Sequence, residues 1–195
     1  AGRPHFPCNM SNNDPSLPQM PKARNIRVLG IIAARGGSKA LPGKNLQPLL
    51  GKPLIAYTID AANQAQLLDR TVVSTDTSQI ADVARLHGAA TPFLRPPELA
   101  GDEISIYPTI IHALQWLEEE EGYRPDYAML LQPTSPLRTA EDIDNSITIA
   151  VEKNAVGVVS LCEVNHHPYH MKQVSSEGRI ADFLRPDKAY HRRQE

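Results

Sequence analysis

"IRVLGIIAARGGSKALPGKN", residues 26–45, decides the fold. Its opening run, "IRVLGIIAA" (26–34), is almost unbroken in β-branched and aliphatic residues. That pattern marks a strand buried on both faces, as in a parallel sheet covered by helices. The second part, "AARGGSKALPGKN" (33–45), is a cationic, glycine-rich loop leaving the strand's carboxyl end. Its spacing excludes two common phosphate cradles. Gly37 and Gly43 enclose five residues where a P-loop has four, and Asn45 stands where that motif needs Ser or Thr. No G-x-G-x-x-G occurs, so the loop is not a dinucleotide turn either. What remains suits an anion cradle: Gly36 and Gly37 admit a ligand close to backbone N–H groups, Arg35, Lys39 and Lys44 bring charge, and Pro42 stiffens the turn. A mobile, solvated basic loop is the alternative on the residues alone.

Outward from this stretch, helical and strand-like segments alternate. "PLIAYTIDAANQAQ" (53–66) opens on Pro and carries Leu54, Ile55, Thr58, Ile59 and Ala62 at helical spacing. "RTVVSTD" (70–76) reads as a second strand. "SQIADVARLHG" (78–88) reads as a helix capped by Thr77 or Ser78 and stopped by Gly88. "AATPFLRP" (89–96) predicts a third strand ended by prolines. The second part of 103–122 is helical, with Ile110, Ile111, Leu114 and Leu117 as its buried stripe and Glu118–Glu121 as a solvated end. "YAMLLQP" (127–133) predicts a fourth strand, 139–154 a helix capped by Thr139, and "VGVVSLCEV" (156–164) a fifth strand. Asp76, after the second strand, reads as a helix cap in preference to a metal ligand.

Such alternation predicts an α/β fold with a mainly parallel sheet and helices on both faces. Ligands in such sheets bind beyond the carboxyl ends of the strands. "ARGGSKALPGKN", "STD" and "QPTSPLRT" all follow strand ends and are expected to converge on one cleft.

With 195 residues, 41% hydrophobic and 22% charged, the chain has the composition of one soluble globular domain. A net charge of −2 argues against nucleic acid as a partner, and the apolar runs are too short to span a membrane. Two cysteines, Cys8 and Cys162, make a disulfide framework or structural zinc site improbable and fit a cytoplasmic location. His166 and His167 are adjacent, so on an extended chain they point opposite ways and make a poor zinc pair. Residues 1–25, rich in Pro, Asn and Ser, predict a disordered extension without the apolar core of a signal peptide. Residues 26–164 form the expected α/β domain and 165–195 a polar arm dotted with His, Tyr, Phe and Leu.

The loop at 33–45 resembles the signature of the acylneuraminate cytidylyltransferases, the CMP-sialic acid synthetases. "VVSTD" (72–76), "LRPPELAGD" (94–102), "IIHAL" (110–114), "LLQPTSPLRT" (130–139) and "HHP" (166–168) match the same family in order. The resemblance implies a three-layer α/β/α sandwich of the nucleotide-diphosphosugar transferase type. It implies an enzyme that uses CTP and Mg2+ to activate a nonulosonic acid, giving the CMP-sugar and pyrophosphate. Arg35 and Lys44 are then the catalytic contacts to the triphosphate, within a nucleotide-binding set of Ala34, Arg35, Gly37, Lys44, Asn45, Arg95 and Ser105. Arg95 is expected at the cytosine. Gln132, Lys172, His170 and Arg193 are the implied sugar-acid contacts, and 165–195 the implied dimerisation arm of a homodimer.

Departures qualify this picture. Ile106 follows Ser105 where relatives often carry a second hydroxyl, and His170 takes the place of a lysine, with Lys172 nearby. No carboxylate in the chain matches the family's main magnesium ligands, which are expected downstream of residue 195. A chain truncated there is expected to be inactive or nearly so. "HHPYHMK" and Ile106–Pro108 tilt the resemblance towards bacterial legionaminate or pseudaminate enzymes, and "QPTSP" lacks the carboxylate of the octulosonate-activating enzymes. A non-catalytic nucleotide-binding module, or a remnant lacking the metal site, is the competing reading.

Overall fold

The structure, a computed structural model, describes residues 26–39, 41–101, 103–161 and 172–182. Along the chain come β1 (Val28–Ala33), a 3-10 turn (Lys44–Leu46), β2 (Pro48–Leu49), β3 (Lys52–Pro53), α1 (Leu54–Gln64), β4 (Arg70–Ser74) and α2 (Ser78–Leu86). After a second 3-10 turn (Pro97–Ala100) follow α3 (Ile106–Glu121), β5 (Tyr127–Leu130), α4 (Ala140–Glu152), β6 (Lys172–Val174) and β7 (Ile180–Asp182). The chain divides into two compact units between Val158 and Val159.

In the first unit β1 lies between β4 and β5 and runs parallel to both, with Ile31 level with Val72 and Leu130. The apolar run of β1 has the physical reason the sequence suggests: both faces are covered. Val28 and Ile32 pack with Ile55 and Ile59 of α1, Ile80 of α2 and Ile143 of α4. Leu29 and Ile31 face the other way, against Phe93 and against Ala113 and Leu117 of α3. The result is a parallel sheet between two helical layers.

Local chemistry fixes the helix ends. Thr77 accepts the Ile80 N–H at 3.4 Å to cap α2. Thr139 and Asp142 form a reciprocal capping box at α4, at 3.2 and 2.9 Å. Asp144, inside α4, accepts the backbone N–H groups of Gln66 and Leu67 just past α1. That contact pins the two helices together on one face.

Three expectations need correction. Residues 89–96 do not form a strand. Ala90 makes a single parallel bridge to Val72, the Ala90 carbonyl accepts the Val73 N–H at 2.8 Å, and the Arg95 N–H reaches the Thr75 carbonyl at 2.7 Å. Pro92 and Pro96 interrupt the ladder because they have no N–H to donate. Val156–Leu161 is irregular rather than a strand, with Val156, Val159 and Leu161 79%, 81% and 92% exposed. A continuous apolar run becomes a strand only where a ladder partner is available, and composition alone does not supply one. Residues 162–164 lie outside the described residues. On α3 the buried seam is Thr109, Ala113 and Leu117, while Ile111 is exposed and Ile110 and Leu114 are half-buried. The helix is turned so that Thr109 meets the buried Arg95.

The second unit contains the antiparallel hairpin β6–β7, closed by Gly178 in the left-handed region at φ 76°.

Candidate active site

Because β1, β4 and β5 are parallel, their carboxyl ends fall on one side, and the loops leaving them meet there. With the start of α3 they enclose a cleft of about 320 Å³. Arg35, Lys44 and Asn45 line it from the first loop, Arg95 from the stretch after α2, Ser105 from the α3 N-terminus and Gln132 from just past β5, whereas Ser74, Thr75 and Asp76 of the expected "STD" segment are not in the lining. No acidic side chain is among the described residues lining it. The described lining carries three cationic side chains, which suits an anionic ligand.

The first loop is held by its own polar groups. The Asn45 amide, almost fully buried, donates to the Arg35 carbonyl at 2.9 Å and so ties the two ends of the loop together. The Arg35 guanidinium donates to the Ala100 carbonyl at 3.3 Å. Gly36 donates its N–H to Asp76 Oδ1 at 2.9 Å. A Cβ at Gly36 would collide with Thr77 Cγ2, whereas one at Gly37 would meet nothing within 4 Å. Close approach therefore demands glycine at 36, and Gly37 stands exposed outside the cleft lining.

Of the three cationic residues in the lining, Arg95 is the buried one, only 4% exposed. Its Nη1 donates to Thr109 Oγ1 at 3.1 Å, and its Nη2 lies 3.6 Å from Asp76 Oδ1. Nε and Nη2 are buried without a hydrogen-bond acceptor. Burial pulls the Arg95 pKa down, Asp76 pushes it back up through charge and hydrogen bonding, and Arg35 adds to the fall. Buried donors of a permanent cation are costly to leave unpaired, so the Thr109 hydroxyl and the nearby Asp76 carboxylate matter for holding this guanidinium in place.

At the far wall, the Gln132 carbonyl accepts Ser135 N–H at 3.2 Å, Arg138 Nη2 at 3.3 Å and Thr58 Oγ1 at 3.5 Å. These bonds fix the "QPTSPLR" turn and leave the Gln132 side chain in the cleft lining. Ser105 precedes α3, and its side chain makes no capping bond to that helix. The helix amino end at the cleft adds to the positive field there.

Residues 29–195 match a protein-family profile described as Cytidylyltransferase. The chain belongs to that family. It is 42% identical over 155 residues to a CMP-N,N'-diacetyllegionaminic acid synthase of Legionella pneumophila, across 80% of this chain and 66% of that protein. It is 36% identical over 169 residues to an N-acylneuraminate cytidylyltransferase of Streptococcus agalactiae, across 86% of this chain and 40% of that protein. It is 40% identical over 112 residues to a pseudaminic acid cytidylyltransferase of Campylobacter jejuni, across 57% of this chain and 48% of that protein. The chain thus spans between 40% and 66% of the length of these relatives. Among solved structures, a CMP:2-keto-3-deoxy-manno-octonic acid synthetase complexed with CTP superposes with a TM-score of 0.55 at 23% identity, over 66% of this chain and 49% of that one. That likeness speaks for the fold.

Within this cytidylyltransferase-family chain the structure brings together Arg35, Lys44, Asn45, Arg95, Ser105 and Gln132 in one cleft. Ala34 is fully buried and contributes its N–H to the Ser74 carbonyl at 3.0 Å, beneath the loop and outside the lining. Lys172 opens β6 in the second unit. His170 and Arg193 lie outside the described residues, as do His166, His167 and Cys162.

Asp76 departs from its expected role. Thr77 is the helix cap, and the Asp76 carboxylate instead reaches Gly36 and Arg95. Thr109 and His112 were not singled out in the sequence. Both lie on the α3 face towards Arg95, and the His112 ring meets Phe93 edge-on at 5.0 Å. The available signal was helical spacing, since Thr109 stands four residues after Ser105.

No group of three His, Cys, Asp or Glu side chains placed to hold a metal ion exists among the described residues. With no carboxylate in the described lining, these residues do not form a divalent-cation site. No described helix is long and apolar enough to cross a membrane.

Proposed function

We propose that the cleft binds CTP and that this chain is the nucleotide-binding part of a cytidylyltransferase that activates a nonulosonic acid. The observation that carries the reading is Arg95: a buried guanidinium, held by Thr109 and beside Asp76, that lines one cleft with Arg35 and Lys44 and no acidic side chain among the described lining residues. Two adjacent N–H donors match the neighbouring O2 and N3 acceptors of cytosine. Uracil presents an N3–H at the same edge and would set donor against donor. Arg35 and Lys44, with the Gly36–Ser38 loop, supply the charge for the triphosphate. Their contribution to rate is to hold the triphosphate in line and to offset charge on the leaving pyrophosphate. The anomeric hydroxyl of the sugar acid gives its proton to solvent as its oxygen bonds to the α-phosphorus, and the bond from that phosphorus to the pyrophosphate oxygen breaks. Gln132 and Ser105 lie where they can orient the incoming sugar acid and the nucleotide. The relatives' names support legionaminate, N-acylneuraminate or pseudaminate as the sugar class. Magnesium, a homodimer built through 165–195 with Lys172, His170 and Arg193 at the sugar, and a cytoplasmic location belong to this reading through family resemblance. Residues 1–25 remain, in the same reading, an extension to the nucleotide-binding domain.

Isothermal titration with CTP, UTP and ATP tests the binding step. Selective binding of CTP, lost in Arg95→Met, is the expected outcome. Equal affinity for all three, or binding that survives loss of the guanidinium, overturns the reading. Pyrophosphate release from CTP and Mg2+ with the three sugar acids as parallel substrates then identifies the acceptor.

A further inference from the structure

We propose that Asp76 is a positioning residue that locks the phosphate loop and the base-reading arginine into one geometry, so that the two halves of the nucleotide site are set together. The proposal rests on the CTP reading above. It begins from one carboxylate oxygen. Asp76 Oδ1 accepts the Gly36 N–H at 2.9 Å and lies 3.6 Å from Arg95 Nη2. Gly36 adjoins Arg35, a cleft residue from the loop after β1, whereas Arg95 comes from the stretch beyond α2. A single atom thus bridges the phosphate end and the base end of the cleft.

The bridge stands on a rigid base. Asp76 follows Thr75, which is fully buried and whose carbonyl accepts the Arg95 N–H at 2.7 Å. Thr75 Oγ1 accepts the Thr77 N–H at 3.3 Å, and Thr77 caps α2 while its methyl lies against Gly36. The opposite side of Arg95 is held by Thr109. The Asp76 side chain is itself only 17% exposed, so its bonds face little competition from water. Its charge also lies against Arg95, a guanidinium that feels repulsion from Arg35. Removing that charge would leave Arg95 held on one side only and free to swing off the base edge. Removing the acceptor as well would release the loop. Asp76 touches neither triphosphate nor base in this scheme, and acts through the residues that do.

Two substitutions separate these effects. Asp76→Asn keeps an oxygen for the Gly36 N–H and deletes the charge opposite Arg95. Asp76→Ala deletes both. Affinities of each variant for tripolyphosphate, cytidine, CTP and UTP are measured by titration, alongside thermal unfolding. In Asp76→Asn the tripolyphosphate affinity is expected to hold while the CTP-over-UTP preference falls by about tenfold or more, the loss typical of a charge-assisted contact. In Asp76→Ala the tripolyphosphate affinity falls as well. A purely structural role would lower all four affinities in proportion to stability and leave the CTP/UTP ratio unchanged, and that outcome overturns the proposal. So does wild-type behaviour in both variants. A wild-type chain that shows no preference for CTP overturns the functional reading and this proposal with it. A wild-type preference that both variants retain removes the Asp76 role alone.

Discussion

Gly36→Ala isolates the steric logic of the phosphate loop. Gly36 is not among the residues of positive φ, so an alanine there meets no backbone penalty. Its added methyl instead runs into Thr77 Cγ2, the only atom that a Cβ at this position meets closer than 3.6 Å. Two relaxations are open. Thr77 can rotate away, which sacrifices its bond to the Ile80 N–H and costs about 0.5–2 kcal/mol as a lost helix cap. Alternatively the loop can lift, which stretches the Gly36 N–H bond to Asp76, a charge-assisted contact worth about 1.5–3 kcal/mol. The structure takes the cheaper mixture, so the expected cost is about 1–3 kcal/mol, shared between folding stability and ligand affinity. If the loop carries most of it, CTP affinity falls about five- to hundredfold. Titration calorimetry with CTP and thermal unfolding read the two shares separately. The decisive control is Gly36→Ala combined with Thr77→Ser. Serine lacks Cγ2 but keeps the capping hydroxyl, and the remaining Thr77 Cβ and Oγ1 positions lie at an ordinary 3.6 Å. Most of the loss should return in the double variant. A double variant no better than Gly36→Ala refutes the steric account.

Thr139→Ala removes one arm of the α4 capping box and is expected to lower stability by about 1 kcal/mol in denaturant unfolding. Leu50 is 94% exposed at φ 49°, so Leu50→Asn gives up little burial, relieves left-handed strain and should raise stability by about 1 kcal/mol in the same assay. His112 is held below its ordinary pKa of 6.5 first by burial and then by Arg95, with Glu98 opposing. A lowered histidine pKa means that the unfolded chain takes up the proton first. Stability is then fully present above about pH 6.5 and falls as acid drives the pH down towards the folded value. His112→Gln should flatten that part of the stability–pH curve, and a proton NMR titration of His112 in the wild type should show the lowered midpoint.

Legibility in the sequence followed how local each feature is. The run 26–34 gave its strand correctly because burial on both faces needs nothing but aliphatic residues, and Thr139 with Asp142 three positions on is a cap written in adjacent letters. The convergence of "ARGGSKALPGKN" and "QPTSPLRT" followed from strand-end geometry in a parallel sheet. Asp76 was misread because its rival as a cap stands next to it, and the carboxylate's true partners lie 40 positions before it, at Gly36, and after an intervening helix, at Arg95. The described part of the next apolar run, 156–161, was misread for a similar reason. Its letters are those of a strand, but a strand is a relation to a neighbour, which sequence composition does not encode. The same holds for Ile111: the period of α3 was legible, but the phase was set by Thr109 turning towards Arg95.

That phase connects stability to binding. The described cleft gathers Arg35, Lys44 and Arg95 with no acidic side chain in its lining, and Asp76 behind Arg95 offsets only part of their charge. An arrangement optimised for folding alone would have placed a carboxylate closer than the 3.6 Å that separates Asp76 Oδ1 from Arg95 Nη2. On the CTP reading, the clustered cationic side chains of the cleft are a cost that an anion with acceptor atoms offsets. The ligand should therefore stabilise the fold as well as occupy it, by about 2.7 kcal/mol at a hundredfold excess over its dissociation constant. Neutral cytidine can satisfy the Arg95 donors but leaves the charge of Arg35 and Lys44 in place, and tripolyphosphate does the reverse. On the CTP reading a molecule with both parts relieves both costs, so CTP should raise the unfolding temperature more than cytidine or tripolyphosphate at equal saturation.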